Sequence, residues 1–287
     1  MAIETSGPDG KPFVQQVELT PAGMLLAYGV TPETLHTGER VTLRAHPSRA
    51  GAGHIVLGLE ITKSDGTVFP LHPLAVRDAA KIGGAGATGI AGTWLTESSG
   101  FVGLAGAAAS WPLTDKARQI RLSADRKAMQ QAMAECIPVG PPTLMAYPVV
   151  RTIAVDAASV LLDLDWMGAR RVVQLDARAH PTEAEPTLLG HSLGRWEGGT
   201  LVVDTVGFAA HPEGMGFGTP SGRAKHVVER FALSAARTRL DYDVTVEDPE
   251  YFTAPVTYHT QWQYRPDLKP SGIPCDLETA RRFLTGE

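Results

Sequence analysis

The chain is predicted to be mainly β, α+β overall: an antiparallel up-and-down barrel of about eight strands behind a small α/β module. Three observations predict it. Between residues 149 and 264, "VVRTIAVD", "SVLLDLDW", "ARRVVQLD", "TLVVDTVGF", "KHVVERFAL", "TRLDYDVTVED" and "VTYHTQWQY" form seven short β-rich runs parted by turn residues, and "AGTWLT" near residue 93 adds an eighth. No helical pattern intervenes among the last seven, which excludes parallel crossovers and leaves antiparallel pairing. In "TRLDYDVTVED", Leu240, Tyr242, Val244 and Val246 alternate with Arg239, Asp241, Asp243 and Glu247, giving one buried and one wet face. A barrel of this strand number has room for one small ligand.

The N-terminal elements are read in order. "TPAGMLLAYG" predicts a short helix with Thr20 as N-cap, Pro21 at its first position and Gly29 as its stop, and "TPETLHTG" at 31–38 repeats the device. "ERVTLRA", "HIVLGLEIT" and "TVFPL" read as strands, the last two joined by a hairpin turn at Asp65-Gly66. Residues 1–80 thus form the module, 81–92 a Gly/Ala-rich linker, and 93–287 the barrel domain. Gly84, Gly86 and Gly89 fit Gly-x-Gly-x-x-Gly, but "AVRDAAKI" before them is no buried strand and "IAGTWLTESSG" after them offers no helical face. A dinucleotide site needs both, so no organic cofactor is expected. "LTDKARQIRLSADRKAMQQAM" at 113–134 reads as helix.

The chain has 287 residues, 43% of them hydrophobic, enough for a substantial core. A formal net charge of −5, without a basic run, disfavours nucleic acid and anionic membrane surfaces as partners. No apolar stretch approaches a membrane span, and "MAIETSGPDGKPF" has no export-signal pattern. The expectation is a soluble protein, cytoplasmic as written and periplasmic if the chain is a processed form. Cys136 and Cys275 suit either one disulfide or two buried thiols. Oligomeric state has no signal.

"LGHSLGRW" at 189–196 contains Gly-x-Ser-x-Gly. A nucleophile elbow needs a buried strand before the serine and a helix after it. "AHPTEAEPTLLG" is too rich in Pro and Glu for the first, and "RWEGGTLVVDTVGF" turns straight into a strand. Ser192 is therefore read as part of a turn or loop, with no nucleophilic role.

Several blocks, "CIPVGPP" (136–142), "LDARAHPTEAEPTLLGHSLGRWEGGTLVVDTVGF" (175–208), "HVVERF" (226–231), "VEDPEYFTAPVT" (246–257) and "PCDLETARRFL" (274–284), resemble a large group of functionally uncharacterised, often exported bacterial proteins. The resemblance covers residues 90–284 and implies a lipocalin-like β-barrel; it implies no activity. Residues 20–75 are more loosely similar to a small domain of unknown function that accompanies that group. The chain departs from the group's pattern in "WEGGTLVVDT", where Asp is more frequent at the second Gly, and in the insert "AAHPEGMGFGTPSG".

The candidate chemistry sits in those blocks. His191 and His226 have the side chain suited to general acid and base work near neutral pH, Arg195 could hold an oxyanion, and Asp204 shares a strand face with Val202 and Val206 as a buried carboxylate would. Trp196, Glu229, Tyr242, Tyr251, Tyr258 and Trp262 are the candidate substrate contacts, with Tyr258, Trp262 and Tyr264 in one row by strand parity. The bland alternative pairs Arg195 with Asp204 or Glu229 in a structural ion pair closing the barrel end. His180, His191, His211, His226 and Asp204 lack the pairwise spacings that set two metal ligands side by side, so no metal site is expected. The expected function is cofactor-independent lyase, isomerase or hydratase chemistry on a small hydrophobic, aromatic-type molecule in the barrel cavity. The alternative is a non-catalytic lipocalin-like carrier.

Overall fold

A computed structural model describes residues 1–7, 9–20, 22–47, 55–72, 75, 86–123, 131, 134–181, 185–278 and 280–281. The chain divides into two compact units, Met1–Ala80 and Lys81–Glu287.

The first unit holds strands β1 (Ala2–Ser6), β2 (Pro12–Glu18), β3 (Val41–His46), β4 (Val56–Lys63) and β5 (Val68–Pro70), with helix α1 (Ala22–Ala27). The sheet runs β1-β2-β4-β3, with β5 on β4 through the Asp65-Gly66 turn, and β2 pairs β4 in parallel. Fully buried Ile61 and Leu71 gather Leu25, Tyr28 and Phe69 into its core. The first two strands were not expected; they alternate weakly and are mostly exposed. Residues 31–38 form turns rather than a second helix, with Thr34 Oγ1 accepting the Thr31 amide at 2.8 Å, a local bond that competes with helix. Pro21 lies outside the described residues.

The second unit is built on a closed barrel of β6 (Gly92–Thr96), β7 (Val150–Val155), β8 (Ser159–Leu164), β9 (Arg170–Gln174), β10 (His191–Glu197), β11 (Thr200–Val206), β14 (His226–Leu233), β15 (Arg239–Glu247) and β16 (Val256–Tyr264). It meanders in chain order and closes where β16 meets β6. All eight expected strands are present. The ninth, β10, is the stretch read as a loop: its short alternation was hidden by two glycines. An odd ring cannot alternate direction throughout, so one neighbouring pair must run parallel. That pair is β9·β10, with Ser192 opposite Val173, and the long 175–190 connection supplies the return path that a parallel pair needs.

Between β11 and β14 the chain makes a hairpin of β12 (His211–Gly216) and β13 (Thr219–Ser221). With α2 (Ser98–Ala108), α3 (Asp115–Ser123) and α4 (Thr143–Ala146) it forms a cap, in which α2 packs on α4 and β16 and α3 on β13. Helix α2, "SSGFVGLAGAA", was not expected because glycine masks its helical face. Residues 124–130, 132 and 133 of the expected 113–134 helix lie outside the described residues. So do residues 81–85 of the expected linker; the part from Gly86 belongs to the barrel, since Ala87 is buried and its carbonyl accepts from Arg237 Nε at 2.6 Å. A disulfide joins Cys136 to Cys275.

Side chains alternate in and out along every barrel strand. Trp94, Arg151, Arg171, Glu229, Phe231, Tyr242 and Trp262, all at most 2% exposed, fill the bore. Tyr242 and Trp262 stack at 5.4 Å, Phe231 lies 5.2 Å from Tyr242, and the Arg151 guanidinium sits 4.1 Å over Trp262. The barrel centre is thus a packed core.

Candidate acid–base site

Register decides which charged residues face inward. Glu229 on β14 lies opposite Val203 of β11 and Val244 of β15, on the inner face. Its partner is Arg171 of β9, which donates from Nη1 to Oε1 at 2.9 Å and from Nη2 to Oε2, while Tyr242 donates its hydroxyl to Oε1 at 2.9 Å. Arg171 also donates Nε to Ser192 Oγ at 3.0 Å and Nη2 to Thr205 Oγ1 at 2.7 Å. Burial opposes the Arg171 charge, but Glu229 outweighs it and holds the guanidinium pKa above its ordinary value. Ser192, at 2% exposure, is a member of this sealed network and has no histidine partner among the described residues.

The outer face of the same strands carries a second network. Asp204 of β11 lies opposite Leu193 and Val228, on the outside of the wall, and is half-buried. His180, from the β9–β10 connection, brings Nε2 within 2.8 Å of Asp204 Oδ1, and its Nδ1 stands 3.0 Å from Nδ1 of His191 on β10. From the other side His226 of β14 sets Nε2 3.0 Å from Asp204 Oδ2, with Nδ1 3.5 Å from Glu247.

The carboxylates fix the protons. Asp204 only accepts, so both histidines present N–H from Nε2 toward it. Burial would raise the Asp204 pKa, yet the hydrogen bonds and charges of His226 and His180 prevail and lower it. His226 feels burial against its charge, but Asp204 and Glu247 together raise its pKa. His191 is pushed the other way, by burial and then by His180. The His180–His191 contact joins Nδ1 to Nδ1, and in the tautomer in which His191 donates Nδ1–H, its Nε2, which has no protein partner among the described residues, carries the lone pair of a base. The network can therefore offer a neutral base at His191 and an imidazolium acid at His226 around one carboxylate. The strands carrying them flank β11, placing their backbones about 10 Å apart.

The remaining candidates lie elsewhere. Arg195 bonds neither Asp204 nor Glu229: it is on the outer face, exposed, and its Nη2 is 2.7 Å from Glu197, two residues along. Trp196, at 44% exposure, is the last inward-register residue of β10. Glu229, Tyr242 and Trp262 are consumed in the core. Tyr258 faces inward and donates its hydroxyl to the Gly100 carbonyl of α2. Tyr251 lies in the β15–β16 connection beneath Lys116, whose Nζ is 5.0 Å from its ring centroid. Among the described residues no group of three or more His, Cys, Asp or Glu is arranged to hold a metal ion.

Beside His226, the outer wall forms an open groove of ≈ 350 Å³ whose lining includes Val228, Arg230, Asp243, Thr245, Thr257 and His259. Val228 is two residues from His226 on the same face, and Thr245 is two from its partner Glu247.

Sequence reasoning passed over four groups. His180 was weighed only as a metal ligand; its loop folds back onto β11 and sets its Nε2 against Asp204. Arg171 shares parity with Val173 in "ARRVVQLD", which marks it as inward-facing. Lys225 and Glu213 gave no local signal. Lys225 is buried, donating to the Gly214 carbonyl at 3.3 Å with its Nζ 4.4 Å over the Phe208 ring, and burial pushes its pKa down to about 7. No family model, curated protein or solved structure matches the chain.

Proposed function

We propose that the protein catalyses proton transfer on a small molecule, in the manner of a lyase, isomerase or hydratase and without an organic cofactor. His191 is the base, His226 the acid, and His180 and Asp204 are positioning residues between them. The observation that carries this reading is the geometry around Asp204, whose two oxygens meet His180 and His226 while His191 stands on His180 with its own Nε2 unpartnered among the described residues; these surroundings push the His226 pKa up and the His191 pKa down, and such divergence assigns acid and base. The groove beside His226, lined by Val228 together with polar side chains of β14, β15 and β16, adjoins the acid and would seat the part of a substrate that extends away from His191. The filled bore argues against a substrate inside the barrel, and the mixed groove lining favours an amphipathic molecule over a purely hydrophobic one. His191 and His226 both come from blocks that carry the resemblance to the bacterial barrel group, which supports treating them as one site. The Cys136–Cys275 disulfide favours an oxidising compartment such as the periplasm.

The test is a panel of small carbonyl, enol and hydroxy compounds incubated in deuterated water, with exchange or turnover read by NMR. Turnover is expected for some member, falling at least 100-fold in His191→Ala and in Asp204→Asn while Ser192→Ala stays within a few-fold. Turnover that survives both substitutions contradicts the reading.

A further inference from the structure

The cap holds a second arrangement that the outer-wall network does not use. Glu213, in β12, is only 7% exposed and has no cation in salt-bridge range among the described residues. Oε2 accepts the Gly218 amide at 3.2 Å; Oε1 has no protein donor among the described residues, yet it is not among the fully enclosed unsatisfied atoms. It therefore borders open space. Phe217, next in the chain to the Gly218 amide that Oε2 accepts, belongs to a row of rings: Tyr147 to Phe101 at 5.2 Å, Phe101 to Phe217 at 5.9 Å, and Phe217 to Trp111 at 6.2 Å. Phe101, Tyr147 and Phe217 are only half-buried, and the Tyr147 hydroxyl bonds no protein atom among the described residues.

The turn that brings the acid and the rings together is strained. Phe217 has φ +54°, between Gly216 at +71° and Gly218 at +75°. A bulky residue in the left-handed region costs of order 1–3 kcal/mol and persists only where its surroundings enforce it. Here the conformation turns the Phe217 ring toward Phe101 and Trp111 and the Gly218 amide toward Glu213. The carboxyl pKa, raised by burial to about 7, agrees with an acceptor that lacks a strong partner.

We propose that this part of the cap is a binding site for a small aromatic molecule bearing an O–H or N–H donor, the ring lying among Phe101, Tyr147 and Phe217 and the donor reaching Glu213 Oε1. A donor fits because Glu213 Oε1 has lone pairs and no protein donor among the described residues. A ring fits because half-buried aromatic faces are the surface on offer. The proposal stands apart from the outer-wall site, and neither depends on the other.

Isothermal titration of the full chain with phenol and with anisole, its methylated counterpart, tests it. Phenol is expected to bind saturably, with anisole at least 10-fold weaker. Glu213→Leu should remove that preference while the thermal melt shows a folded protein. If Glu213→Leu does not fold, Phe217→Gly, which relaxes the strained turn and removes one ring, should weaken phenol at least 5-fold. Absence of saturable phenol binding, equal binding of phenol and anisole, or an undiminished affinity in the folded variant overturns the site.

Discussion

At the residue scale, two of the buried cations, Arg171 and Lys225, make opposite predictions. Arg171 is fully paired, so removing it alone strands the Glu229 carboxylate. Arg171→Met is expected to cost about 3–5 kcal/mol in chemical denaturation, and Arg171→Met combined with Glu229→Leu should recover most of that. Lys225 is buried with its ammonium disfavoured, its pKa falling from an ordinary 10.5 to about 7. Between those values the unfolded chain binds a proton that the folded chain does not, so Lys225 makes stability rise with pH across that window. Lys225→Met should therefore melt several degrees higher than the parent chain near pH 7, and the advantage should shrink toward pH 10. A pH-independent difference would show that the ammonium is not the cause. Neither cation's environment could be read from neighbours in the sequence alone. Arg171 was legible only through strand parity, and Lys225 meets its surroundings through distant segments such as Gly214 and Phe208.

At the scale of elements, the eight alternating strands were legible because each keeps period two long enough to expose its faces. Strand β10 was not, since Gly194 breaks the alternation and a Ser between glycines suggests a turn. The structure explains that glycine: a Cβ there would stand 2.7 Å from Val173 and 2.8 Å from Leu175, both side chains at the β9·β10 seam. Gly194→Val should overpack this seam and cost about 1–3 kcal/mol, measured by denaturation. The stretch "LGHSLGRW" thus contributes the strand between β9 and β11, with Ser192 turned into the core network and His191 turned out toward the Asp204 side. Parity also separates the expected site residues. Asp204 shares its face with Val202 and Val206, as the sequence suggested, but that face is the outer wall.

At the scale of the whole molecule, the barrel was readable from strand spacing, and its packed bore was not, because the inward row of aromatics suits a filled core and an open one equally. The geometry of the bore resolves this through ring contacts between strands far apart in sequence. The Cys136–Cys275 bond closes a separation of 139 residues. Chain entropy makes such a crosslink worth about 5 kcal/mol, so reduction should lower the denaturation midpoint of the barrel unit markedly. The central claim, a base and an acid held apart by Asp204, is tested most directly by NMR titration of the histidine ring protons. The account predicts that His226 titrates above the ordinary value of about 6.5, that His191 titrates below it, and that Asp204→Asn brings His226 down. Titration of both at the ordinary value, or an unchanged His226 in Asp204→Asn, would contradict it.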